Sequence, residues 1–92
     1  MAKHLIITGI VQGVGYRASF MHEARILKLS GWVCNRLDGS VEATVSGDAQ
    51  ALQTIIDWAW RGPSGAQVRN VEAFDVDDSL VTGGKFEMRA TR

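Results

Sequence analysis

The sequence holds one cysteine, Cys34, and one proline, Pro63. A lone cysteine excludes an intrachain disulfide and any metal site built on paired thiolates. His4 and His22 are the two histidines, and a separated pair does not make a metal site. Asp75, Asp77 and Asp78 form an acidic patch that fits a strand end better than a cation site. No apolar run approaches the ~18 residues of a membrane span. Met1-Ala2-Lys3-His4 leads straight into a strand-like segment, with no signal peptide pattern. Together these absences predict a cytoplasmic protein without metal or cofactor. Ten Lys/Arg balance ten Asp/Glu, so no broad field calls for nucleic acid or an anionic membrane. Ser19, Ser30 and Ser40 lack the strand-to-helix elbow of a nucleophilic serine. There is no repeat, low-complexity stretch or linker.

The 92 residues, 46% of them apolar, suit a single domain over 1–92 that buries roughly two-thirds of its unfolded surface. The charge is unevenly spread. Residues 1–40 carry Lys3, Arg17, Arg25, Lys28 and Arg36 against Glu23 and Asp38, a net of +3. A small anion held by this half would fit. Residues 3–10 are β-branched and apolar and predict a central strand. Residues 11–16 predict a loop, and a helical period follows from Arg17 to about Leu29, with Phe20, Ala24 and Leu27 on one face. Ser30-Gly31 is expected to end it. Residues 32–37 predict a second strand, Asp38-Gly39 a type I′ hairpin turn, and Val41, Ala43 and Val45 a half-buried third strand. Asp48 is the expected N-cap of a second helix with Leu52, Ile55, Ile56 and Ala59 as its buried stripe, stopped by Gly62-Pro63. Residues 68–77 predict a fourth strand with Phe74 and Val76 inward, 78–84 a loop, and Phe86 to Met88 a short last strand. The order βαββαβ predicts an α+β, ferredoxin-like sandwich: an antiparallel sheet with two helices on one face.

Two places could carry chemistry. Gln12-Gly13-Val14-Gly15-Tyr16-Arg17 lies between the first strand and first helix. Glycines let consecutive N–H groups turn toward one centre, and the helix start adds unpaired N–H groups and a positive dipole end. Arg17 can close over a phosphate with two parallel hydrogen bonds. Two glycines and a basic residue are a weak pattern, however, and on spacing alone a plain turn with a solvent-facing arginine is the commoner reading. Asn35 is the second place. It shares a strand face with Val33, opposite Trp32 and Cys34. Its amide can both donate and accept, yet taken alone an edge residue capping the nearby hairpin is the better reading. Cys34 reads as a small packed residue, His22 as a surface histidine and Trp58 as the cover of a helix flank.

Taken together, Gly9 to Arg17 (GIVQGVGYR) and Gly31 to Glu42 (GWVCNRLDGSVE) resemble the two signature segments of acylphosphatases, in the same order and at a matching separation. Gly62-Pro63, followed by Ala66 and Val68, resembles that family's stretch after the second helix. The resemblance spans nearly the whole chain. It implies hydrolysis of acyl phosphates to carboxylate and inorganic phosphate, with phosphate as product and competitive inhibitor, no cofactor, and a monomer by default. It makes Arg17 and Asn35 catalytic, Arg17 binding phosphate and Asn35 orienting water. Gln12, Gly13, Val14, Gly15, Tyr16 and Arg17 bind the substrate, chiefly through backbone. Three positions depart from the family pattern: Lys28 replaces a usual glycine, Cys34 a frequent basic residue, and Tyr16 the commoner phenylalanine. The alternatives are a small-anion-binding or RNA-binding module of the same fold. RNA readers of this shape expose aromatics on central strands, and the first and fourth strands here offer Phe74 alone.

Overall fold

The computed structural model describes residues 1–81 and 84–92. The apolar first segment becomes β1 (Ala2–Ile10), which pairs antiparallel with both β3 (Val41–Ser46) and β4 (Gln67–Val76). β3 also pairs antiparallel with β2 (Ser30–Asn35), and β5 (Phe86–Met88) adds to the outer edge of β2 in parallel. The strand order is β4-β1-β3-β2-β5. The four strands of the βαββαβ unit are antiparallel as expected; the fifth makes the sheet mixed. α1 (Tyr16–Ile26) and α2 (Ala49–Arg61) lie on one face. Between the layers Leu5, Ile7, Val33, Ala43, Phe20 and Ile55 are fully buried. α2 is capped as predicted, the Ala51 N–H donating to Asp48 Oδ1 at 2.8 Å.

Several local expectations are corrected. Phe74 does not face inward and is 48% exposed. Directly paired residues share a face, and Val71 lies opposite buried Ile7 while Phe74 lies opposite His4 on the helix-free face. Val76 shares that face with Phe74. The hairpin is not type I′, which needs positive φ at both central residues. Among the described residues only Lys28 combines a side chain with positive φ. Here the Gly39 N–H donates to Arg36 O at 3.1 Å, so Leu37 and Asp38 form the turn and Gly39 follows at φ 94°. β2 consequently ends at Asn35, before residue 37. The predicted loop 78–84 contains a 3₁₀ turn, Asp78–Leu80, with Ser79 N–H donating to Asp77 Oδ1; residues 82 and 83 lie outside the described residues.

Ser30-Gly31 does not end the first helix, because both already belong to β2. Lys28 does, at φ 59°. The Leu29 N–H donates to Ala24 O at 2.9 Å and the Lys28 N–H to Arg25 O at 3.0 Å, the paired bonds of a Schellman ending. A left-handed non-glycine residue costs about 1–2 kcal/mol, partly offset by the entropy a glycine loses. Lys28→Gly is therefore expected to stabilise the fold by about 1 kcal/mol, raising the melting temperature by about 4–8 °C. An unchanged or lower Tm in thermal unfolding would contradict it.

Candidate active site

α1 begins without a side-chain cap. Its N-cap is Gly15 at φ 78°, and Ser19 is the first residue whose N–H bonds back within the helix, to Gly15 O at 3.0 Å. The N–H groups of Tyr16, Arg17 and Ala18 therefore have no partner inside the helix. Gly13 has φ 76°. A Cβ at either glycine would meet nothing within 4 Å, so backbone conformation rather than space requires glycine there. The acid-free first turn leaves the positive end of α1 uncompensated.

Arg17 is the second residue of α1 and half-buried. Its Nη1 donates to Arg89 O at 3.5 Å, and among the described residues it has no carboxylate partner. Asn35 ends β2 on the same face as Val33. One concavity of about 220 Å³ brings them together, lined by Gly13, Gly15, Arg17, Ala18, Asn35 and Met88 among others. Among the described residues, Arg17 is its sole charged lining residue, and no carboxylate lines it. The side-chain oxygen Oδ1 of Asn35 is buried and has no hydrogen-bond partner among the described residues. Such an atom costs about 1–3 kcal/mol, so its own bonding does not explain its position. A larger concavity, about 510 Å³, lies between Lys28 and Lys85 at the other end of α1. It lacks the glycine loop and the uncapped helix start, so size does not locate the chemistry.

Two residues of the predicted cradle act otherwise than by offering a side chain to a ligand. Gln12 Nε2 donates to Arg36 O at 2.8 Å and Ser40 O at 2.9 Å, bracing the glycine loop against the hairpin that follows Asn35. The Tyr16 side chain turns into the core. Its hydroxyl donates to Ala59 O at 2.8 Å, one of the carbonyls the end of α2 leaves unpaired. Burial pushes its pKa well above the usual phenol value. Only its backbone remains for the cradle. Val14 packs against the core cluster.

The segment after β5 supports the site and carries no signal in the sequence. It continues along β2: the Arg89 N–H donates to Val33 O at 2.8 Å, and the Arg92 N–H to Asn35 O at 3.1 Å. Both guanidinium groups lie over Trp32, at 4.9 and 4.7 Å from the ring centre, leaving Trp32 only 8% exposed. Cys34 is buried on the same face, its thiol 3.9 Å from Glu42 Oε1. Burial and then the Glu42 charge push the thiol pKa up, in keeping with a packed rather than a reactive cysteine. His4 is held there by Glu42 at 2.9 Å and Thr44 at 2.8 Å, away from the pocket. Trp58 covers the flank of α2 against Tyr16 and Phe20, at 5.3 and 5.7 Å between ring centres. Among the described residues no group of three His, Cys, Asp or Glu side chains could hold a metal ion, and no helix is long and apolar enough to cross a membrane.

A pocket whose one charge is an arginine, floored by free backbone N–H groups, takes a small oxyanion. On a two-layer βαββαβ sandwich this arrangement suits a small phosphoryl-binding α+β domain. A family model for acylphosphatase matches residues 3–88. An acylphosphatase from Acidovorax sp. (strain JS42) is 48% identical over 91 residues, covering 99% of this chain and 92% of the relative. Among solved structures, an acylphosphatase from Coxiella burnetii superposes with a TM-score of 0.88 at 34% identity, covering 96% of this chain and 90% of that one. An acylphosphatase from Bacillus subtilis does so with a TM-score of 0.88 at 32% identity, covering 97% and 99%. The chain belongs to the acylphosphatase family.

Proposed function

We propose that the chain hydrolyses acyl phosphates at this pocket, with Arg17 and the 13–17 backbone holding the phosphoryl group and Asn35 orienting the attacking water. One observation carries the assignment: a single concavity is lined by an arginine without a carboxylate partner, the glycine loop and an amide with an orphaned acceptor. A water held against the Asn35 amide is thereby aimed. Its oxygen bonds to phosphorus as the phosphorus–oxygen bond to the acyl group breaks. The bonding pair leaves with the carboxylate, and the water proton passes to a phosphate oxygen. Phosphoryl transfer needs positioning and charge stabilisation above all, and Arg17 with the backbone provides both. A carboxylate leaving group, with a conjugate-acid pKa of ~4 to 5, needs no general acid. Inorganic phosphate is both product and competitive inhibitor, and the protein acts as a cytoplasmic monomer.

The test is a hydrolysis assay on a small acyl phosphate beside a phosphate monoester, each with and without a strong chelator. The acyl phosphate is expected to turn over at the same rate in both conditions and the monoester to remain almost untouched, because its alkoxide needs an acid that the pocket lacks. Comparable rates on both substrates, or chelator-sensitive activity restored by a divalent ion, would contradict the mechanism.

A further inference from the structure

The concavity of about 510 Å³ at the far end of α1 gathers cations from three segments. Arg25 stands in the last turn of α1, Lys28 ends the helix, and Lys85 precedes β5. All three are exposed, and among the described residues none pairs with a carboxylate. Among those residues Glu87 is the one acid in the lining. Hydrogen bonds tie the three segments together around the concavity. Arg25 Nε and Nη2 donate to Phe86 O at 3.3 and 3.1 Å. The Lys28 N–H donates to Arg25 O at 3.0 Å, and Lys85 O accepts from the Gly31 N–H at 2.9 Å.

Two observations point to a ligand. The first is an excess of positive charge. The negative end of a helix amounts to about half a charge, which Arg25 in the last turn already answers. Lys28 adds a second cation and Lys85 a third, from a separate segment. The second is the backbone of Lys28. Its φ of 59° suits glycine, which adopts it without strain. A side chain kept in such a backbone at the expense of stability marks a position held for what the side chain does. Here the side chain lines the concavity.

We infer that this concavity is a second anion site, built for a small anion of two or three linked phosphates. Three cations against Glu87 match such an anion better than a single phosphate. The room is more than twice the 220 Å³ of the phosphate pocket. Leu29 and Phe86 line it but are each only 3% exposed, so the contacts on offer are to phosphate rather than to an apolar group. The two sites are separate. Lys28 lies eleven residues beyond Arg17, about 16 Å of helical rise, so one small anion does not bridge them. The inference uses none of the residues assigned to acyl phosphate hydrolysis and does not depend on that reading.

The experiment titrates inorganic tripolyphosphate into the Arg17→Ala protein by calorimetry at low salt, where the phosphate pocket has lost its charge. One tripolyphosphate is expected to bind, with orthophosphate weaker by about tenfold or more. Adding Lys28→Gly or Lys85→Ala should each weaken tripolyphosphate binding by about fivefold or more. Lys28→Gly should also raise the melting temperature, so its lost binding is not lost folding. Arg61→Ala removes the same charge from the exposed end of α2 and should leave the affinity within about twofold. Adenosine triphosphate should bind no more tightly than tripolyphosphate, because the site reads phosphates alone. Binding that disappears with Arg17→Ala itself would make the phosphate pocket the tripolyphosphate site and overturn the inference. So would unchanged affinity in Lys28→Gly and Lys85→Ala, or an equal loss in Arg61→Ala. Adenosine triphosphate binding about tenfold tighter would overturn the assignment to phosphates alone. A wild type that fails to hydrolyse acyl phosphates, yet gives the expected titrations, overturns the acyl phosphate reading and supports this one.

Discussion

Arg17→Ala is expected to lower kcat/KM for an acyl phosphate by about 10³-fold or more, the scale on which arginines and preorganised donors act on transferring phosphoryl groups. Among the described residues Arg17 is the sole charged side chain lining the pocket, so none of them replaces it. The same substitution should abolish competitive inhibition by inorganic phosphate at concentrations that inhibit the wild type. Arg17→Lys should recover only part of both, since an ammonium keeps the charge but not the planar fork. The fold should survive, because the guanidinium makes a single long contact, to Arg89 O at 3.5 Å. Equal phosphate inhibition in wild type and Arg17→Ala would remove Arg17 from the site.

Asn35→Ala should act differently. A group that works on the nucleophile contributes in the transition state and little to substrate binding. The expected result is a kcat lower by about 10²-fold or more, with KM and phosphate inhibition nearly unchanged. Stability should not suffer from a lost hydrogen bond, since Oδ1 has no partner to lose. The Asn35 backbone remains paired through Arg92. A KM rising in proportion to the loss of kcat/KM, with kcat intact, would make Asn35 a binding residue.

Most of the fold is legible in the chain because its signals are local: the β-branched run of β1, the helical stripes of Phe20 with Ala24 and of Leu52 with Ile55, and the Asp48 cap. The misreadings come from tertiary context. Phe74 alternates with Ala73 and Asp75, and its larger side chain suggests the core; pairing to β1 places Ala73 opposite Leu5 instead. The left-handed ending of α1 is hidden because a lysine occupies it. Arg17 and Asn35, the proposed catalytic pair, are singled out by the two motifs and not by spacing alone, and the fold brings them to one pocket. Gln12 and Tyr16 lie in the first motif, but their roles as hairpin brace and helix tie depend on partners 24 to 43 residues away. The Arg89 and Arg92 supports have no motif, because backbone pairing to β2 and stacking on Trp32 place them.

The most direct test of the division of labour between Arg17 and Asn35 is the turnover of Asn35→Asp, measured with an acyl phosphate after circular dichroism confirms the fold. Asp is nearly isosteric but loses the amide donor and adds a negative charge beside the phosphoryl group. If Asn35 aims the water while Arg17 carries the anion, Asn35→Asp is at least as damaging to kcat as Asn35→Ala and also weakens phosphate inhibition. A folded Asn35→Asp protein with near wild-type turnover would mean that this position serves a general base, contradicting the account.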